Sequence, residues 1–260
     1  MPEEAALPEY AVRNRTHWTQ SNAEYTNAKA RESWAREEIA WGVWGTPESE
    51  LQALPDVRGL EVIELGCGTA YFGAWLKKAG ARRVVGVDVT PAQLATAREM
   101  NEEFGLGLEF IEGNAEGVPL PDESFDLVFS EYGASIWCDP YKWIPEASRL
   151  LRKGGELLFM RNSTLEMLCS ADEERVSESL VRPQKGMHRF DWVAEGLPST
   201  EFHISASLLF QLLRDTGFEV IDFRELFAPD GAADHPFYSY VPVAWARRWP
   251  AEEIWRTRKR

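Results

Sequence analysis

The chain has 260 residues, of which 44% are hydrophobic and 27% are charged, as in an ordinary globular protein with a full hydrophobic core. Its 28 basic and 42 acidic residues give a formal net charge of −14, and such a surface repels polyanions, which argues against nucleic acid as a partner. The three widely spaced cysteines form no disulfide framework and no metal-binding CxxC pair, and the acidic first segment lacks the apolar run of a signal peptide. We therefore expect a cytoplasmic protein without a metal site or a membrane span.

The segment before the first apolar run predicts a helical flank. Residues 22–44 fit one amphipathic helix, with Asn22 as its N-cap and with Trp34 and Trp41 on one face. Prolines then interrupt the pattern. We expect residues 1–55 to form an N-terminal helical lid.

From residue 60 onward, short apolar runs alternate with amphipathic stretches. The predicted strands are 60–65, 83–89, 108–113, 125–132 and 156–162, and the predicted helices are 71–80, 91–104 and 140–151. This alternation is typical of an α/β fold, a doubly wound and mostly parallel sheet with helices on both faces. Residues 56–162 form the predicted core.

The rest of the chain is less regular. Residues 163–204 lack the strand–helix rhythm, and we expect them to form an inserted lid. The C-terminal part, 205–260, is predicted to complete the sheet with a helix at 205–218, a sixth strand at 219–226, a seventh strand at 239–243 and short terminal helices that end in the basic run 256–260.

A glycine-rich turn follows the first predicted strand, at the place where open parallel sheets bind ligands. Gly66 and Gly68 let the backbone pass close to a ligand, and the helix after them offers free N–H groups. A dinucleotide-binding turn requires a third glycine where this chain has Tyr71, and Glu64 would repel a pyrophosphate. The acid instead suits a cationic ligand, an amine or a sulfonium, which argues against a nicotinamide-dependent oxidoreductase.

An aspartate ends the second predicted strand. Asp88 stands twenty residues after Gly68, where a carboxylate can accept hydrogen bonds from both hydroxyls of an adenosine ribose. The alternative is that Asp88 caps the next helix, but Thr90 already supplies a capping residue there. After the third strand, residues 114–116 are placed to meet the edge of an adenine.

Four segments carry a family resemblance: ELGCGTA (64–70), VVGVDVTPAQLATAR (84–98), EGNAEGVPLPDESFDLVFS (112–130) and RLLRKGGELLF (149–159). By their order and spacing, the chain resembles class I S-adenosylmethionine-dependent methyltransferases, in the group of ubiquinone/menaquinone-biosynthesis-like enzymes. The resemblance covers roughly residues 60–162. Two positions depart from the family pattern, Ala70 in place of a third loop glycine and Asn114 where aspartate is frequent, and both remain compatible with cofactor binding.

The resemblance implies a seven-stranded Rossmann-like sheet, S-adenosylmethionine as cofactor, and methyl transfer to a small-molecule acceptor that the sequence does not identify. It implies the following cofactor contacts: Glu64, Gly66, Cys67, Gly68, Asp88, Val89, Gln93, Asn114, Ala115, Glu116 and Ser130. Residues 163–204 then shape the acceptor pocket. A regulatory or scaffold protein that binds the cofactor without catalysis is the alternative, and both a monomer and a homodimer stay open.

A catalytic base is needed if the acceptor is a hydroxyl or an ammonium group. Glu131, directly after the fourth strand, and His188, in the insertion, are our candidates, and His203 is a third. For each of them a structural role is the alternative. The tryptophans leave a similar choice open, between core packing of the lid and an aromatic acceptor pocket that includes Trp137 and Trp192.

Overall fold

A central sheet of seven strands organises the protein in a computed structural model that describes residues 7–21, 26–171, 175–194, 196–235 and 238–260. The strands are β1 (Ala40–Trp41), β2 (Thr46–Pro47), β3 (Glu61–Leu65), β4 (Arg83–Asp88), β5 (Glu109–Glu112), β6 (Phe125–Glu131), β7 (Leu151–Asn162), β8 (Arg189–Ala194), β9 (Leu197–Phe202), β10 (Phe218–Leu226) and β11 (Glu252–Lys259). The helices are α1 (Glu9–Gln20), α2 (Asn27–Ala35), α3 (Glu48–Leu51), α4 (Tyr71–Lys78), α5 (Pro91–Phe104), α6 (Ala134–Trp137), α7 (Pro140–Leu150), α8 (Thr164–Cys169), α9 (Ala206–Asp215) and α10 (Val243–Ala246).

The strand order of the sheet is β10-β11-β7-β6-β3-β4-β5. Neighbouring strands are parallel except where β11 pairs with β7 and with β10. The chain runs from β3 outward to β5 and then returns to β6 on the other side of β3, so the order reverses between β3 and β6. Sheets of this kind bind ligands beyond the carboxyl ends of the strands at such a reversal. The predicted doubly wound, mostly parallel sheet is confirmed.

The central strands are short apolar runs because helices cover both faces of the sheet. Ile63, Val85 and Val128 are buried on the face that packs against α7 and α9. On the other face, covered by α2, α4 and α5, Phe72 stacks on Phe129 with ring centroids 4.2 Å apart. Each such side chain contributes roughly 1.5–3 kcal/mol when it is buried. This packing fixes the register that brings the strand ends together.

Most of the predicted C-terminal elements after β10 are wrong, and of the helices predicted there only the short helix α10 is found in the described residues. Residues 239–242 form a turn that leads directly into α10, in place of the predicted strand 239–243. The seventh strand of the sheet is β11, in a segment that was predicted to be helical. Ile254 and Trp255 enter the apolar layers on opposite faces of the sheet. Two basic residues of this strand share an acid on the neighbouring strand β7, since Arg256 and Arg258 donate to the Glu156 carboxylate at 2.7 and 2.8 Å. These ion pairs let a charged segment lie inside the sheet.

The predicted helix 22–44 is also wrong in its second half. Its proposed cap, Asn22, lies outside the described residues, and α2 ends at Ala35 because the next residue turns to an extended backbone with ψ of 141°. Trp34 and Trp41 are fully buried in the apolar layer shared with α4. They pack on the core, which is the first of the two alternatives for these tryptophans.

Helix α1 and the β8–β9 hairpin form one unit, which we call the cover. Asn14 Nδ2 donates to the Thr200 carbonyl at 2.8 Å, and the Thr200 N–H donates back to Asn14 Oδ1 at 2.7 Å. Arg13 reaches Asp191 of β8 at 2.8 Å. The N-terminal flank and the insertion after β7 are therefore joined to each other. None of the helices in the described part of the chain is long and apolar enough to cross a bilayer.

Candidate active site

The glycine-rich turn between β3 and α4 has a backbone that most residues cannot adopt. Gly66, Gly68 and Ala70 have positive φ angles of 75°, 54° and 58°. A Cβ on Gly66 would lie 2.6 Å from the Cα of Gly133, so the loops after β3 and β6 touch backbone to backbone. Ala70 adopts the left-handed conformation at a cost of about 1–2 kcal/mol. The sequence departure at this position therefore leaves the turn intact.

Asp88 ends β4 and faces this turn. Its Oδ2 accepts from the Gly68 N–H at 2.8 Å, and its Oδ1 accepts from the Thr90 N–H at 2.8 Å. Thr90 is the N-cap residue of α5, as predicted, but its side chain makes no capping bond to the helix. Burial raises the pKa of Asp88, and the hydrogen bonds from Gly68 and Thr90 oppose that rise. These bonds hold the Asp88 carboxylate at the mouth of the turn.

Glu64 lies beneath the N-terminus of α4, where it accepts from the Gly73 N–H at 3.0 Å. Burial raises the pKa of Glu64 well above its usual value, and the carboxylates of Glu131 and Asp88 raise it further. Among the described residues, none of these three carboxylates has an ion-pair partner. A ligand with a sulfonium and an ammonium group supplies the missing positive charge, whereas a pyrophosphate would add to the repulsion.

The neighbouring cofactor candidates also lie around the turn. The Cys67 side chain is buried and donates to the Gly68 carbonyl at 3.7 Å, and burial raises the pKa of the thiol. Gln93, on the first turn of α5, is buried against Gly68. Val89 is partly exposed between Asp88 and α5. Their contacts with a cofactor stay predictions.

The segment after β5 carries the predicted adenine contacts. Asn114 Oδ1 accepts from the Cys138 thiol at 3.5 Å and from the Glu116 N–H at 3.2 Å, and Ala115 is buried. The Glu116 carboxylate is occupied elsewhere, since it accepts from the Asp139 N–H at 2.8 Å and from the hydroxyl of Tyr10. Glu116 thus ties α1 to α7. The adenine role stays a prediction for all three residues of this segment.

Ser130 is fully buried directly under the turn. Its hydroxyl donates to the Leu65 carbonyl at 2.8 Å and accepts from the Ser135 N–H at 3.2 Å. These bonds hold the end of β3 against the loop after β6. The hydroxyl is therefore used within the protein, and the predicted contact with the methionine part of the cofactor is not tested.

Glu131 ends β6 on the face of the sheet that carries Glu64. Its Oε2 accepts from the Tyr71 hydroxyl at 2.9 Å, and its Oε1 accepts from the Gly42 N–H at 3.3 Å. Burial raises the pKa of the Glu131 carboxyl. Tyr71, the residue that replaces a dinucleotide glycine, thus orients the candidate base.

A second glutamate–tyrosine pair lies beside the first and was missed from the sequence. The Tyr132 hydroxyl donates to Glu252 Oε1 at 2.7 Å, and the Val43 N–H donates to the same oxygen at 2.9 Å. Burial raises the pKa of Glu252 to about 7. A positive φ of 49° at Tyr132 was not predictable, but non-glycine residues in this conformation cluster at functional sites.

The two histidine candidates belong to separate networks. His188 Nε2 lies 3.0 Å from Asp139 Oδ1, at the start of α7, and its ring is partly exposed. His203 is fully buried between Arg161, 3.3 Å from its Nδ1, and Glu201, 2.8 Å from its Nε2. Burial lowers the pKa of His203. These contacts favour a structural role for His203, and the structure brings neither histidine to Glu131.

Two clefts lie at the cover. One, of about 390 Å³, separates the second half of α1 from the start of α5 next to Asp88, and it is lined by Arg15, Thr16, Thr19, Gln20, Pro91 and Ala92. The other, of about 330 Å³, follows residues 182–192 and includes Trp192. The contacts of Trp137 differ from those of Trp192, because the Trp137 ring packs against the Trp18 ring with centroids 5.3 Å apart.

Comparisons with known proteins bear on this arrangement. Residues 63–159 match the model of a family described as a methyltransferase domain. The chain is 34% identical over 113 residues to a malonyl-[acyl-carrier protein] O-methyltransferase of Pectobacterium atrosepticum, a match that covers 43% of this chain and 42% of that protein. It is 30% identical over 184 residues to the ubiquinone/menaquinone biosynthesis C-methyltransferase UbiE of Cronobacter sakazakii, with 65% of this chain and 70% of that protein covered.

Solved structures agree on the fold. An S-adenosylmethionine-dependent methyltransferase from Mesorhizobium loti superimposes with a TM-score of 0.64 at 22% identity, covering 84% of this chain and all of the other. The residues that match the family model, 63–159, run from β3 into β7 and include the glycine turn, Asp88 and Glu131. The chain therefore belongs to the class I S-adenosylmethionine-dependent methyltransferases, in the group that includes the ubiquinone/menaquinone-biosynthesis-like enzymes, and it is a methyltransferase that uses S-adenosylmethionine.

Proposed function

We propose that the chain methylates a small molecule bound between the glycine turn and the cover. When bound, S-adenosylmethionine supplies a methyl group on a positively charged sulfur. The observation that carries the proposal is the Asp88 carboxylate, held by the Gly68 and Thr90 N–H groups at the mouth of the turn. We assign the ribose hydroxyls to this carboxylate and the nucleoside side of the site to the cleft between α1 and α5.

The acceptor side begins at Glu131 in this proposal. Its carboxylate is oriented by Tyr71 and Gly42, and burial raises its pKa, which brings a carboxylate closer to the neutral range in which a general base works best. His188 stays a second candidate. The main contribution of the protein is alignment, since holding two reactants in line can lower a barrier by up to ~7–11 kcal/mol.

The cover closes the site in this proposal. Residues 1–55 contribute α1, residues 163–204 contribute the β8–β9 hairpin, and the two segments move as one because Asn14 and Thr200 join them. Such a cover excludes water from the transferred methyl group and commits the acceptor. The relatives are named for a quinone-biosynthesis C-methylation and for an O-methylation on a carrier protein, and we propose a small-molecule acceptor here as well.

Calorimetric titration tests the cofactor assignment. S-Adenosylmethionine and S-adenosylhomocysteine are expected to bind with measurable heat, and NADH is expected to give none. The carboxylates of Glu64, Asp88 and Glu131 give the reason, because they attract a sulfonium and repel a pyrophosphate. Binding of NADH without binding of S-adenosylmethionine would contradict the proposal.

A further inference from the structure

Two glutamates, Glu131, which is partly buried, and Glu252, which is buried, stand side by side beyond the cofactor turn. Glu131 ends β6 and Glu252 begins β11. The Gly42 N–H donates to the Glu131 carboxylate, and the N–H of the next residue, Val43, donates to the Glu252 carboxylate. The carboxylate of Glu131 contributes to the raised pKa of Glu252, so the two are close enough to repel. Among the described residues, neither has an ion-pair partner.

Two arginines near this region are bonded to groups other than Glu131 and Glu252. Arg161 lies on the opposite face of the sheet, 3.5 Å from Glu253 and in contact with His203. Arg182 is bonded to the Ser170 carbonyl. Burial raises the pKa of Glu166 to about 7, and the charge of Arg182 opposes that rise. The positive charge that Glu131 and Glu252 lack is therefore not supplied from these neighbours.

A third acid, Glu166 on α8, lies on the same side of the site as Glu252. Glu166 is 2% exposed, its Oε1 accepts from the Ser170 hydroxyl at 2.5 Å, and its Oε2 has no hydrogen-bond partner among the described residues. Glu166 follows four residues after Asn162, which is the register partner of Glu252 across β7 and β11, so the two glutamates come from neighbouring parts of the sheet edge. Burial raises the pKa of the Tyr240 phenol, and the charges of Glu166 and Glu252 add to this rise. A buried, unpaired carboxylate oxygen is costly, and a ligand that donates a hydrogen bond removes this cost.

Aromatic rings complete the surroundings. The Tyr132 hydroxyl donates to Glu252, and Tyr240 packs against the same apolar cluster as Trp44, the residue that follows Val43. We call Tyr132, Tyr240, Glu166 and Glu252 the acid–aromatic cage. Rings together with carboxylates are the groups with which proteins bind ammonium ions, because both carry negative potential where the cation sits.

We propose that the acceptor is an amine that binds in its protonated form in the acid–aromatic cage. This inference rests on the proposed function. For an amine acceptor Glu252 takes the role of the base in place of Glu131: it accepts one proton from the ammonium group, and the freed nitrogen lone pair forms the new N–C bond as the bond between sulfur and the methyl carbon breaks. The products are a secondary ammonium ion, S-adenosylhomocysteine and a protonated Glu252 carboxyl.

Three probes of one shape and different charge test the proposal. 2-Phenylethylamine, 2-phenylethanol and 3-phenylpropanoate are titrated at neutral pH into the protein saturated with S-adenosylhomocysteine. The amine is expected to bind at least about tenfold more tightly than the alcohol, because it forms charge-assisted hydrogen bonds, and the acid is expected not to bind. With S-adenosylmethionine, the amine is expected to yield its N-methyl product.

Substitutions in the acid–aromatic cage test whether its carboxylates cause the preference for the amine over the alcohol. Glu252→Gln is expected to reduce the affinity for the amine to that for the alcohol and to leave the affinity for S-adenosylhomocysteine unchanged. Glu166→Gln is expected to reduce amine binding in the same direction, and it serves if the first variant does not fold. Glu102→Gln removes the same charge from an exposed position on α5 and is the matched control.

The proposal is overturned if the amine does not bind, if the alcohol or the acid binds as tightly, or if both cage variants keep the amine preference. Failure of S-adenosylhomocysteine itself to bind the unmodified protein contradicts the proposed function instead. The two failures are therefore distinguishable.

Discussion

Replacement of Asp88 by alanine tests the cofactor site most directly. The carboxylate is expected to accept hydrogen bonds from two ribose hydroxyls, each worth about 1.5–3 kcal/mol before water compensates. Loss of even about 1.4 kcal/mol in total weakens binding tenfold. We therefore expect Asp88→Ala to bind S-adenosylhomocysteine at least ~10-fold more weakly in a calorimetric titration.

The same substitution also disturbs the free protein. Asp88 accepts from the N–H groups of Gly68 and Thr90, and alanine leaves both without their acceptor. The free energy of unfolding is expected to fall by about 1–3 kcal/mol. A loss of affinity alone would therefore not separate the ribose contact from a loosened turn.

A ligand without the hydroxyls makes this separation. The unmodified protein is expected to prefer S-adenosylhomocysteine to its 2′,3′-dideoxy analogue by at least ~10-fold, and Asp88→Ala is expected to lose that preference. Burial raises the pKa of Asp88 and only the ionised form accepts both hydroxyls, so the preference is also expected to disappear as the pH is lowered through this raised value. An equal preference in both proteins refutes the ribose assignment.

Two further substitutions test the contacts of the N-terminal flank. Gly42→Ala places a Cβ 2.4 Å from Glu252 Oε1 and the Met160 methyl group, so urea unfolding is expected to show a loss of about 1–3 kcal/mol. Gly45→Ala is the control, since Gly45 has a similar φ of 61° but its nearest neighbour lies at 3.9 Å, and equal losses would contradict the crowding. Asn14→Ala removes both hydrogen bonds between Asn14 of α1 and Thr200 of β9. It is expected to speed hydrogen exchange of the Thr200 amide by at least about tenfold. The control Thr16→Ala removes only a bond within α1, and unchanged exchange in Asn14→Ala would show that the cover is held by other contacts.

Elements whose apolar pattern lies within one continuous segment could be predicted from the sequence. The apolar runs that became β3, β4 and β6 and the glycine turn between β3 and α4 are continuous in the sequence, so their structure follows from neighbouring residues. Asp88 was placed correctly at a strand end for the same reason. Only its partners, Gly68 and Thr90, required the folded turn.

Long-range pairing explains what the sequence did not reveal. β11 is rich in charge, and its stability depends on Glu156, about one hundred residues earlier, which accepts from Arg256 and Arg258. Glu252 could not be recognised as part of the site because its partner Tyr132 is distant in sequence and its strand was predicted to be a helix. The burial of Trp34 likewise depends on the Thr69 carbonyl, to which its Nε1 donates at 2.8 Å.

The reversed strand β11 also determines the order in which the chain can fold during synthesis. β10 is made before β11, but its neighbour within the sheet is β11, so it has no place there until residues 252–259 leave the ribosome. Until then α9 and β10 hold Phe210, Ile221 and Phe223 at an unfinished edge, where such side chains invite association with other chains. Because Glu252 opens the same strand, the pairing of β11 that completes the sheet also brings Glu252 to the acceptor side that we propose.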